Sequence, residues 1–215
     1  MLSRAIYRFV KPYLSPRADQ WLRQTRRETL SSVGYDDDQW VRVVRRAEWH
    51  GFLAAEAKRK PAILEISPGP ESPWPRYGTG SYTRAEFPGF DITRDRLERR
   101  FDVIIAEEVF EHIADAGAAA VNIHAMLNPD GVFLVSVPFL IKLHGPPAYG
   151  DFHRWSPEGL RVFLGAHGFT QVDAKSWGNA DAIIANFKGW TRYGWGKSLE
   201  NDPELPAAVW AYARP

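Results

Sequence analysis

Apolar positions in this chain follow two patterns, and the difference separates strands from helices. Short unbroken runs occur at Ala62–Ile66, Phe101–Ala106 and Val132–Val137, each stopped by acids, a small-residue turn or Pro138. Such runs read as strands buried on both faces of a parallel sheet. Phe87–Ile92, Phe169–Trp177 and Ala207–Ala213 read as further strands. Elsewhere the spacing is helical. Ile6, Phe9, Val10, Tyr13 and Leu14 share one face, with Arg4, Arg8 and Lys11 on the others, and Pro16 breaks the pattern. A weaker helical pattern runs through Trp21, Leu22, Thr25, Thr29 and Leu30, and a third spans Trp40 to Ala57.

Between the strands, Ala114–Leu127 reads as a helix followed by a turn at Asn128-Pro129-Asp130-Gly131. Pro157 sits in the first turn of a helix capped by Ser156, with Glu158 adding favourable N-terminal charge. That helix ends near His167-Gly168, and Ala180–Trp190 forms another. Residues 70–85 are rich in Pro, Gly and Tyr. The order predicts an α/β fold, with a helical extension over residues 1–60 and the sheet-bearing domain over 61–215.

Ligands of open α/β sheets bind just past the carboxyl ends of the strands. Two strand ends here carry acids: Glu65 before Ser67-Pro68-Gly69, and Glu107-Glu108 after Phe101–Ala106. Acids there suit a ligand with ribose hydroxyls and a positive charge. Asp91 falls 22 residues after Gly69, close to the offset of the ribose-binding acid in nucleotide-binding units. A carboxylate can accept both ribose hydroxyls at once.

Composition narrows the chemistry. The 215 residues are 45% hydrophobic with a net charge of +1, which suits one globular domain with no whole-protein field for nucleic acid or membrane. The absence of cysteine excludes disulfides, thiolate metal sites and cysteine nucleophiles. No apolar run approaches the ~20 residues of a membrane span, and the N-terminus lacks the pattern of a signal peptide. A cytosolic location is the expectation. A basic amphipathic first helix can lie on a membrane surface, but packing on the domain is the favoured expectation for so short a segment. Nine tryptophans are many for this length, and Trp74, Trp155, Trp190 and Trp195 fall outside the predicted strands while Trp177 ends one, positions where they wall a pocket or cap the core.

Four stretches in order resemble the signatures of class I S-adenosylmethionine (SAM)-dependent methyltransferases: Leu64–Gly69, Phe101–His112, Leu127–Pro138, and Arg154–Leu160 through Gly168-Phe169. The resemblance covers Ala62 to Phe169, half the chain. It implies a Rossmann-like, mostly parallel seven-stranded sheet with an antiparallel last strand. It also implies N-terminal helices that serve as a lid, and SAM as cofactor with S-adenosylhomocysteine as product. The amino-acid end of SAM would lie against Ser67, Pro68 and Gly69, where the family pattern has glycine in place of Ser67 and Glu71. Glu65 would orient the loop or accept from the ligand's ammonium, Asp91 would take the ribose, and Ile92 would pack on adenine. Asp95 is the nearest candidate for reading the adenine amino group. One of Glu107 and Glu108 would face the sulfonium end of SAM or a bound water. No metal is expected.

Methyl transfer from a sulfonium needs alignment and exclusion of water. A hydroxyl acceptor also benefits from a base near neutral pH, and histidine suits that role. The segment Phe139–Trp155 follows a strand at the active-site edge and carries His144, Asp151 and His153. His144 is the first candidate for base or substrate-orienting group, with His153 and Asp151 behind it. Tyr149 and Arg154 are candidates for lining the acceptor pocket. His112, in the Glu111-His112 pair, reads first as helix capping. The chain lacks both the [Asp/Asn]-Pro-Pro-[Tyr/Phe] motif of nucleic-acid amino methylation and a basic aromatic stripe, which leaves a small-molecule acceptor, methylated at oxygen. A sugar or glycolipid intermediate or a secondary metabolite fits that class. Two alternatives compete: a non-catalytic binding or assembly protein on the same fold, and an NAD(P)-dependent oxidoreductase. The second expects G-x-G-x-x-G after the first strand, which Ser67–Ser72 does not supply.

Overall fold

The computed structural model describes residues 11–22, 25, 38–70, 72–145, 150–194 and 196–215. Strand β1 (Ala62–Ile66) follows helix α1 (Val43–Glu56), which a short 3-10 turn at Trp40–Arg42 introduces. Then come β2 (Ser81–Ala85), β3 (Phe101–Glu107), α2 (Ala116–Met126), β4 (Leu127–Pro138), α3 (Pro157–Ala166), β5 (Gln171–Trp177), α4 (Ala180–Lys188) and β6 (Ala208–Arg214). The sheet order is β2-β1-β3-β4-β6-β5. β1 pairs parallel with β2 and β3, and β3 with β4, while β6 runs antiparallel to both β4 and β5.

Side-chain alternation along the central strands builds two cores, one on each face of the sheet. Leu64, Ile66, Ile104, Ala106, Phe133 and Val135 point to the face covered by α2 and α3, through Ala119, Ala120, Ile123, Leu160 and Leu164. Ile63, Val103, Ile105 and Leu134 point the other way, against Trp49 and Leu53 of α1 and Ala182 and Ile183 of α4. Burial on both faces explains why these strands read as unbroken apolar runs. Three of the helices are capped as their sequences demand. Asp115, Ser156 and Asn179 accept the backbone N–H of Ala118, Gly159 and Ala182 respectively.

Three expectations need correction. The sheet has six strands among the described residues instead of the seven that the resemblance implies, and the sequence itself offers only six strand-like stretches. The second strand is Ser81–Ala85 instead of Phe87–Ile92. It is an edge strand with half-exposed residues, so it shows no continuous apolar run, and Pro88-Gly89 turns the chain after it. The expected turn at Asn128–Gly131 is an irregularity inside β4. Phe101 pairs with Leu127 and Val103 with Val132, so the extra residues of β4 loop out of register. The expected first helix lies mostly outside the described residues. The third helical pattern is α1, whose Trp49 and Leu53 are fully buried against the sheet.

Candidate active site

The first strand delivers a buried acid and then an unusual turn. Glu65 accepts from the hydroxyls of Ser72 and Tyr82, which ties the loop back to the strand. Burial pushes its carboxyl up, against those two hydrogen bonds. Ser67 adopts φ 45°, in the left-handed region that favours glycine, and donates its N–H to Ala85 O at 2.7 Å. That geometry explains the glycine of the family pattern at this position. A Cβ added at Gly69 would meet nothing within 4 Å, so the chain leaves space open there.

A cleft of about 360 Å³ occupies that space, lined by Glu65, Ser67, Gly69, Pro70, Ser72, Glu107 and Glu108 and closed by Gln39, Arg42, Arg46 and Arg192. It sits at the carboxyl ends of β1 and β3, where α/β sheets bind ligands. A larger depression of about 610 Å³ lies against Gln171, Val172, Lys175, Tyr212 and Arg214. It is at the opposite edge of the sheet, so the smaller cleft is the candidate site despite its size.

Glu107 is fully engaged. Its carboxylate accepts from Arg45 Nη2, Arg46 Nε and Trp74 Nε1, each at 2.8 Å. Burial alone would raise this carboxyl, but Arg45, Arg46 and Arg42 outweigh it and hold the group well below the usual carboxylate range. Glu108 stands beside it at φ 56°, with Ser136 Oγ donating to its carboxylate at 2.8 Å and Arg42 4.0 Å away. The arginines that hold Glu107 were not among the residues singled out from the sequence, whereas Trp74 was, as a candidate pocket wall. A signal existed: Arg42, Arg45 and Arg46 share one helix face at i, i+3, i+4 spacing.

The other expected residues separate into two groups. Ile92 is buried in the core, and Asp91 is held by Thr93 and Arg94 beyond the end of β2. Neither lines the cleft. Glu86, the residue directly after β2, is exposed and pairs with Arg84 at 2.7 Å. Asp95 accepts the Asp91 N–H. Pro68 is half-buried in the turn between Ser67 and Gly69.

The second group forms a cluster next to Glu108. Glu111 is fully buried in a short 3-10 turn, Phe110–His112. His112 Nε2 and His144 Nε2 each lie 3.6 Å from its Oε1. Asp151 accepts the His144 N–H at 2.9 Å and faces His144 Nδ1 at 3.3 Å. Burial would raise the Asp151 carboxyl, but Arg154 and the His144 N–H hold it below the usual range. The Glu111 carboxyl raises His144 above the ordinary imidazole range, against burial. Arg154 donates to Asp151 and to the carbonyl of His153, so it braces this loop. His153 faces the carbonyl of Ala114 at 3.3 Å and packs on Trp155, apart from the cluster. Tyr149 lies outside the described residues. Of the loop tryptophans, Trp74 and Trp177 are buried, Trp155 packs against the core and Trp190 meets the His144 ring; Trp195 lies outside the described residues.

No helix among the described residues is long and apolar enough to cross a membrane.

The profile of the methyltransferase domain family matches residues 16–174, well over half the chain. A ubiquinone biosynthesis O-methyltransferase from Azorhizobium caulinodans is 34% identical over 85 residues, covering 33% of this chain and 34% of that protein. The chain thus matches about a third of the length of this curated relative. Among solved structures, the Burkholderia thailandensis 1,6-didemethyltoxoflavin-N1-methyltransferase, bound to 1,6-didemethyltoxoflavin and S-adenosylhomocysteine, superposes with a TM-score of 0.54 at 17% identity. That match covers 94% of this chain and 90% of the other. The Haemonchus contortus phosphoethanolamine N-methyltransferase 2 in complex with SAM gives 0.51 at 12% identity, covering 77% and 52%. Profile, sheet order and the cleft past β1 agree: the chain belongs to the methyltransferase domain family and has its class I, Rossmann-like fold.

Proposed function

We propose that this protein is a SAM-dependent methyltransferase acting on a small-molecule acceptor at oxygen. The observation that carries the reading is the cleft past β1, where the left-handed turn at Ser67 and the open space at Gly69 leave room for a ligand. Glu65 braces the turn from beneath. Arg42 and Arg46 present positive charge from α1 and the preceding turn, which suits a ligand carboxylate. The helices before β1 thus act as a wall and lid of the donor site. SAM bound there supplies a methyl group on a positively charged sulfur, ready for in-line displacement.

The protein's own contribution is alignment, exclusion of water and a place for the acceptor's proton. The Glu111–His144–Asp151 cluster takes that proton role, and Arg154 fixes Asp151. The O-methyltransferase relative, matched over part of its length, supports oxygen as the methylated atom. Incubation with SAM and a panel of phenols, sugars, carboxylates and amines tests this through release of S-adenosylhomocysteine. A hydroxyl acceptor should be turned over. Turnover confined to amines, or none with any acceptor, contradicts the reading.

A further inference from the structure

Glu111 is an anomaly that methyl transfer alone does not explain. It is fully buried, and neither carboxylate oxygen has a hydrogen-bond partner. A buried carboxylate without partners costs several kcal/mol. What faces it is two imidazole nitrogens. His112 Nδ1 lies 2.7 Å from the carbonyl of Gly150, which can only accept, so Nδ1 carries the proton and Nε2 presents a lone pair. His144 Nδ1 likewise faces acceptors, the carbonyl of Lys142 and the Asp151 carboxylate, both at 3.3 Å. Two ring nitrogens and a carboxylate oxygen thus converge on one point.

We propose that Glu111, His112 and His144 form a divalent transition-metal site of the zinc type. The three donor atoms lie within 4.8 Å of one another. Both Nε2 atoms stand 3.6 Å from the same oxygen. A shared proton would draw one nitrogen to roughly 2.8 Å. Equal spacings of this length instead approach the edge of a tetrahedron around zinc, about 3.3–3.4 Å for bonds of about 2.0–2.1 Å. Two histidines and a glutamate are a known catalytic zinc set that leaves a fourth position open. The surroundings match as well: each ligating histidine is oriented by an acceptor behind it, Gly150 O for one and Asp151 for the other. The histidine side chains keep 15% and 18% exposure, a route for a fourth ligand. Zinc there would lower the pKa of a bound hydroxyl and so take over the proton role, with His144 as its ligand instead of the base. This role rests on the methyltransferase reading, whereas the site itself rests only on the cluster. The proposal replaces the expectation of no metal.

The test is calorimetry of the chelator-treated full chain with zinc chloride, alongside elemental analysis after dialysis. One equivalent should bind. Glu111→Gln and His144→Ala should each weaken binding at least about 100-fold, and Asp151→Asn about 10-fold. His167→Gln, at the end of α3, should leave it unchanged. Cobalt(II) added to the wild-type chain should give the intense visible bands of a tetrahedral site, a readout that needs no variant. No stoichiometric zinc, zinc that binds equally to Glu111→Gln and His144→Ala, or an octahedral cobalt spectrum overturns the proposal. SAM calorimetry on the same metal-free sample separates the two readings: if SAM binds while zinc does not, only the metal site fails.

Discussion

Glu107, whose side chain keeps 9% exposure, and Glu111, fully buried, lie four residues apart at the carboxyl end of β3 with opposite surroundings. Glu107 accepts three short hydrogen bonds, two from arginines and one from a tryptophan. Glu111 accepts none and faces two histidines. The first acid fastens α1 to the sheet and lines the cleft past β1. The second is left poised. The contrast teaches that burial of a carboxylate has no single meaning: its partners decide whether it serves stability or chemistry.

The comparison breaks most readily at Glu107. Glu107→Gln should lower stability by about 3 kcal/mol, since it strands Arg45 and Arg46 with half a partner, as read by urea denaturation. The wild-type carboxyl is held low in the folded state. Its stabilisation is therefore present above the unfolded carboxylate value of about 4.3 and is lost as pH falls toward the folded value. The variant should show a shallower acid decline. Unchanged stability, with the wild-type acid decline, would erase the distinction.

On the other side, His144→Ala should cut turnover by about 100-fold or more while SAM affinity stays the same. Steady-state kinetics paired with calorimetry read both, and equal turnover removes His144 from the chemistry. Glu111→Gln sharpens the contrast further. With a chelator present it should leave stability unchanged or raise it by about 1 kcal/mol, since it removes a desolvated charge. Thermal unfolding gives the answer, and a loss as large as that of Glu107→Gln would make both acids structural. The smallest effect belongs to the turn. Ser67→Gly should stabilise by about 1 kcal/mol by relieving the left-handed backbone, and destabilisation would mean that the serine hydroxyl outweighs the strain.

Much of this architecture was legible in the chain. Ala62–Ile66 and Phe101–Ala106 are continuous apolar runs because helices cover both faces, and Ser156-Pro157-Glu158 announces its helix by capping chemistry. Phe87–Ile92 misled because apolar content there serves a turn and a core contact, whereas the true edge strand Ser81–Ala85 buries little. The site was harder to read. His144 and Asp151 were visible as chemistry-bearing residues in a Gly- and Pro-rich loop. Their meeting with Glu111, 33 residues before His144, depends on how that loop folds back over the end of β3. The arginines of α1 were hidden for the same reason: their acid partner lies 61 and 62 residues away.

The central claim is that the hollow beside Ser67 and Gly69 accepts SAM. Isothermal calorimetry of SAM and S-adenosylhomocysteine against the wild-type chain and Gly69→Leu tests it directly. Both ligands should bind the wild type with one site, and the leucine, whose Cβ meets no protein atom within 4 Å, should weaken them at least about tenfold, or ~1.4 kcal/mol, without unfolding the protein. A folded wild-type chain that binds neither ligand at millimolar concentration, or a leucine variant that binds both as well as the wild type, would contradict it.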